Sequence, residues 1–165
     1  MKIFFFIFLI LLTSSKILNA QNLSKAYFAG GCFWCMEESF EKINGVTEVI
    51  SGYSGGTTKN PSYKEVTYGD AGHFETIEII YDSSAISYQK LLDNFWINID
   101  PFDEYGQFCD KGYSYRSVAF YQNQKQKILI EDSIKKIEKK FQKKVLTYIK
   151  EFDEFYKAED KHQNY

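Results

Sequence analysis

The chain lacks most of what would divide it into parts. It has 2 prolines in 165 residues, and no repeat, low-complexity tract or Pro/Gly-rich linker interrupts it. Neither sign of charge dominates: 20 Lys and Arg face 22 Asp and Glu, a net charge of -2, so no basic surface for nucleic acid is expected. The 2 histidines, His73 and His162, stand at no spacing from acids or cysteines that marks a metal site or a catalytic pair, and read as structural. The 3 cysteines are too few, and odd in number, for a disulfide framework; at least one thiol is left over. What remains is 44% hydrophobic and 18% aromatic, the composition of one globular domain with a core.

The N-terminus differs from the rest. Lys2, an apolar run from Ile3 to Leu12 and small polar residues ending at Ala20 have the layout of a cleavable secretory signal. The run is short for a bilayer span, which counts against a retained anchor, and it carries no cysteine for a lipoprotein signal. The expectation is a signal peptide at 1–20, a single catalytic domain at 21–165, and an exported protein, periplasmic or secreted. In that setting disulfides persist, so a Cys32–Cys35 bridge could be purely structural.

Hydrophobic periodicity predicts a strand over 25–30, then a helix carrying Phe33, Met36, Phe40 and Ile43 on one face, stopped by Asn44-Gly45. Strands follow at 46–53 and 75–81, separated by a turn-rich loop over 54–73. Ser87 caps a helix burying Leu91, Leu92, Phe95 and Trp96; a strand at 117–121, a helix striped by Ile130, Ile134, Ile137 and Phe141, and a strand at 145–149 complete the chain. Through Tyr121 this order is that of an α+β split βαβ (ferredoxin-like) plait, with a C-terminal extension. The long irregular stretches 54–73 and 98–115 are where function is expected.

Cys32 follows Gly30-Gly31 where a strand turns into a helix. Free N–H groups and the helix dipole favour an anion there, so its thiolate is expected to form readily. Cys35 lies one helical turn on and is either a resolving partner or half of an inert bridge. Phe33 and Trp34 are core residues or the walls of a pocket for a small apolar group. Glu75, if it points into such a pocket, has its pKa raised and becomes a candidate acid. Read singly, Tyr63, Tyr115 and Asp110 are ordinary polar loop residues.

The blocks "GGCFWCMEESFEKINGV", "GYSGGTTKNPSYKEV", "GHFETIEIIYD", "ISYQKLLDNFW", "GQFCDKGYSYRS" and "FYKAEDKHQNY" resemble, in order and spacing, the peptide methionine sulfoxide reductases of the A type. The resemblance covers nearly everything after residue 24. It implies Cys32 as nucleophile, Phe33 and Trp34 as the methyl pocket, and Glu75 as the acid that protonates the sulfoxide oxygen. It further implies Tyr63 and Tyr115 as hydroxyls holding that oxygen, with Asp110 in the same polar network. It also implies S-epimer selectivity, no cofactor and no metal, an oxidised methionine substrate, free or in proteins, recycling by thioredoxin or a similar dithiol, and a monomer. Many members carry glycine at the position of Cys35 and asparagine at that of Cys109, with recycling cysteines nearer the C-terminus. No cysteine follows Cys109 here, so recycling falls to Cys35 and Cys109. Two other readings stay open on the residues alone: a thioredoxin-like oxidoreductase, which would not need Glu75, and a zinc site of Cys32, Cys35, Cys109 and a histidine.

Overall fold

The structure, a computed structural model, describes residues 22–164; the expected signal at 1–20 lies outside them. It is a mixed α/β domain built on a curled six-stranded sheet. The elements are β1 (Leu23–Ala29), α1 (Phe33–Glu41), β2 (Val46–Ser54), α2 (Tyr63–Tyr68), β3 (Phe74–Asp82), α3 (Tyr88–Ile97), β4 (Gly106–Gln107), β5 (Asp110–Lys111), β6 (Val118–Tyr121), α4 (Gln124–Phe141), β7 (Tyr148–Glu151) and β8 (Phe155–Lys157). The sheet order is β7-β6-β1-β3-β2-β8, and β4 and β5 form a separate small hairpin. Pairing is antiparallel except between β6 and β7.

Strand alternation sends neighbouring residues to two different layers. From β1, Ala26 and Phe28 enter the main core beneath α1 and α3, with Phe40, Leu91, Leu92 and Phe95. Tyr27 and Ala29 point the other way, into a smaller cluster with Phe74, Val118 and Phe120. That second face is covered by the residues after α4: Phe152 stacks on Tyr27 with ring centroids 3.7 Å apart. In β3 the same alternation puts Ile77 and Ile79 into the main core and, two residues earlier on the same side, Glu75.

The helix starts follow side-chain chemistry. Ser87 accepts a hydrogen bond from Lys90 N–H and Asn123 one from Gln126 N–H, capping α3 and α4. The sequence reading differs from the structure in four places. The expected loop 54–73 contains α2, held by a Ser62–Glu65 capping box. The irregular stretch 98–115 contains the β4–β5 hairpin. The strand expected at 145–149 is β7, which starts three residues later at Tyr148 because parallel pairing with Val118–Tyr121 sets its register, and the sequence reading holds no counterpart of β8.

Candidate active site

Cys32 is the N-cap of α1, half-buried, at the point where the chain leaves β1 through Gly30 and Gly31. Gly31 has φ +86°, and a Cβ on it would stand 2.7 Å from Gln107 Cβ, so only glycine fits here. Gln107 is buried and returns both hydrogen bonds of its amide to Asp100, fixing the loop that leads to Asp110. The two glycines and Gln107 therefore bring the start of α1 against the β4–β5 hairpin.

Glu75 is 1% exposed, and its Oε2 accepts the backbone N–H of Phe33 at 3.1 Å, the first residue of the helix that Cys32 caps. Its other oxygen, Oε1, is buried without a hydrogen-bond partner. Burial pushes its pKa from 4.5 to about 7; the Phe33 N–H opposes the rise and the charge of Asp110 adds to it. The carboxyl is thus close to half-protonated at neutral pH.

The thiolate expectation for Cys32 is corrected. Burial pushes the thiol up from 9.0 to about 11; the backbone N–H groups of Cys35 and Trp34 pull it down but do not prevail, and the nearby Glu75 adds to the rise. The helix start supplies the N–H groups that sequence reasoning anticipated. What it could not show is that the sulfur is withdrawn from water beside a carboxylate, and desolvation outweighs two hydrogen bonds.

The other expected residues, Cys109 apart, gather at the same place. Phe33 is buried and Trp34 half-buried, their ring centroids 5.9 Å apart, and Tyr63 lies 6.2 Å from Phe33. Burial first, then the charge of Glu75, the nearby Tyr63 hydroxyl and the charge of Asp110, hold the Tyr115 hydroxyl protonated. Cys35 and Cys109 are exposed, and all three thiols are unbridged. Cys109 and Phe108 form the two-residue tip of the β4–β5 hairpin, with Phe108 at φ +49°. A groove of about 310 Å³ lined by Cys32, Cys35, Phe108 and Asp110 runs along this side. Among the described residues no three His, Cys, Asp or Glu side chains gather where they could hold a metal ion.

Sequence reasoning passed over three residues. Tyr53 is fully buried opposite Glu75 in the β2–β3 register, and its hydroxyl donates to Glu159 Oε2 at 3.0 Å. Glu159 also accepts the backbone N–H of Tyr63 at 3.0 Å. His162, read as structural, lies 5.5 Å from Phe33 and 4.5 Å from Tyr63, ring to ring. Counting the hairpin register back from Glu75 would have found Tyr53. No local signal ties Glu159 or His162 to residues about 100 positions earlier.

The arrangement places a thiol, a carboxyl titrating near neutrality and an aromatic recess side by side. The peptide methionine sulfoxide reductase family profile matches residues 24–165. A Listeria monocytogenes protein, peptide methionine sulfoxide reductase MsrA, is 45% identical over 150 residues, covering 90% of this chain and 85% of its own. Methionine sulfoxide reductase A of Corynebacterium diphtheriae superposes with a TM-score of 0.78 at 29% identity, over 87% of this chain and 73% of its own. Mxr1 from Saccharomyces cerevisiae in reduced form gives 0.80 at 28% identity, over 86% and 82%. A match along nearly the whole chain, in sequence and in fold, means that the chain belongs to the peptide methionine sulfoxide reductases of the A type.

Proposed function

We propose that this enzyme reduces methionine-S-sulfoxide, free or in proteins, to methionine through a sulfenic acid on Cys32 and an intramolecular disulfide. The observation that carries the reading is Glu75, buried beside Cys32, tied to Phe33 N–H, and with Oε1 unpaired. A neutral carboxyl with a free oxygen is what a sulfoxide oxygen requires as proton donor. The substrate methyl group sits against Phe33 and Trp34, and Tyr63, Tyr115 and Asp110 surround the oxygen. As the Cys32 sulfur attacks, the oxygen passes from the substrate to Cys32: the sulfoxide is reduced by two electrons and the thiol oxidised to sulfenic acid. Glu75 gives its proton to the oxygen and regains one from the Cys32 thiol, so a thiol pKa of about 11 is compatible with the step. Cys35 condenses with the sulfenic acid, releasing water and forming a disulfide. Exchange with Cys109 and then with thioredoxin or a similar dithiol returns Cys32 to the thiol.

The split βαβ plait remains the reading of the scaffold that the order β6-β1-β3-β2 and its antiparallel pairing support. Export after cleavage near Ala20, and action as a monomer, complete the proposal. The test is a single turnover without reductant on each epimer of methionine sulfoxide. Methionine from the S form, up to two per enzyme because exchange with Cys109 frees Cys32 once, and none from the R form, is expected; equal yields, or no methionine, would overturn the reading.

A further inference from the structure

We propose that the end of α4 and the turn after it form a docking knob for the surface of an anionic phospholipid bilayer, held there by lysine charge and by the exposed ring of Phe141. The inference is independent of the reaction at Cys32. Residues 135–144 carry six lysines and one acid, in a chain whose net charge is -2. Lys135 pairs with Asp132. Lys136, Lys139, Lys140, Lys143 and Lys144 are exposed, and among the described residues none of the five ion-pairs with a carboxylate or donates a hydrogen bond.

Helix capping does not account for them. Gln142, left-handed at φ +51°, ends α4, and its side chain donates to the Lys139 C=O at 2.7 Å. The acid of the stretch, Glu138, is taken by the Val145 N–H at 2.9 Å. Leu146 N–H donates to Pro101 C=O at 2.8 Å and fastens the turn to the loop that carries Phe102. A helix C-terminus is served by a cation or two in its last turn. Five unpaired ammonium groups on a turn fixed by its own bonds exceed that need.

The apolar part decides between anionic partners. Phe141 is 55% exposed and meets Phe102 edge to face, ring centroids 5.6 Å apart. The Lys140 ammonium lies over the Phe141 ring at 5.1 Å and that of Lys143 over the Phe102 ring at 4.7 Å. With a cation over each ring and the other ring against it, neither offers the open platform on which a nucleic-acid base would stack. A ring projecting among ammonium groups on flexible stems suits a bilayer: the lysines reach headgroup phosphates while the ring enters the acyl boundary. Every charge here is lysine, so no planar fork selects one phosphate or carboxylate, and the attraction is to a charged surface as a whole.

The test is co-sedimentation of the protein, purified from its native host, with vesicles of phosphatidylcholine alone or with about half phosphatidylglycerol. Affinity for the anionic vesicles should exceed that for the neutral ones by about a hundredfold or more, and fall about tenfold between about 0.05 and 0.5 M salt. Lys140→Gln with Lys144→Gln should weaken binding about 25-fold, at about fivefold per lysine. Phe141→Ala should weaken it about tenfold. Lys125→Gln with Lys127→Gln makes the same change of charge at the other end of α4 and should stay within about twofold of wild type. Equal binding to both kinds of vesicle, or an equal loss in the two double variants, would overturn the knob. So would duplex DNA or polyglutamate bound as tightly as the anionic vesicles, since the site would then take any polyanion. Should Phe141→Ala fail to fold, as thermal melting would show, the two lysine pairs decide.

Discussion

Replacing Glu75 by glutamine separates what the buried carboxyl costs the fold from what it does in the reaction. The folded group titrates near 7 against 4.5 in the unfolded chain. Between those values the unfolded chain gives up a proton that the folded one keeps, so stability is full below 4.5 and falls until pH 7 is reached. At about 1.36 kcal/mol per pH unit, this amounts to about 3 kcal/mol. The amide of the Glu75→Gln variant has no charge to desolvate and can still accept the Phe33 N–H. Urea unfolding of both proteins across this range should show the variant gaining on the wild type by about 3 kcal/mol, other titrations cancelling in the difference. In single-turnover assays the variant should be about 10²–10⁴-fold slower. It should also lack the wild type's decline in rate above pH 7, where the acid is lost. Parallel stability curves would refute the burial argument; a variant with near wild-type rate would remove Glu75 from the chemistry.

Three other outcomes are expected. Cys35→Ser should release one methionine per enzyme in a single turnover yet recycle poorly with thioredoxin, and Cys109→Ser should recycle better than Cys35→Ser, with peptide mapping after one turnover showing the Cys32–Cys35 bridge first. Ser62→Ala removes the α2 capping box and should cost about 1 kcal/mol by urea unfolding, with loss of activity because Tyr63 opens that helix. N-terminal sequencing of protein from its native host should begin near Gln21; a chain starting at Met1 and found in the cytoplasm would contradict the signal.

Where residues make their structure locally, the sequence was readable. The apolar period of Leu91, Leu92 and Phe95 and the Ser87 cap gave α3, and alternation gave β2 and β3 to within a residue. The misses are made by distant partners. α2 has one buried residue, Val66, and so no apolar period to detect within a stretch dense in turn formers. β8 has three residues whose place depends on Gly52 and Ser54 in β2, about 100 positions earlier. In the site, Cys32 and Glu75 were legible through the family resemblance, but the thiol's pKa went the other way, since burial is a property of the assembled neighbours. Glu159 and the surroundings of His162 are set by the same kind of distant neighbours, whereas Tyr53 is within reach of the β2–β3 register.

The bonds from Gln163 and Asn164 back to Ser51 and Glu37 span 112 and 127 positions, and they carry a consequence for how the protein is made. A chain grows from its N-terminus, so the Cys32 thiol and the Glu75 carboxyl exist well before residue 159 has been added. The sheet from β1 to β6 can assemble around them, with local helices forming fast and the long closures last. Until residues 159–164 arrive, Tyr63 has no carboxylate to hold it and Trp34 lacks the His162 ring beside it. The nascent protein therefore carries the Cys32 thiol in an unfinished pocket until that stretch of polypeptide has been synthesised and folded back.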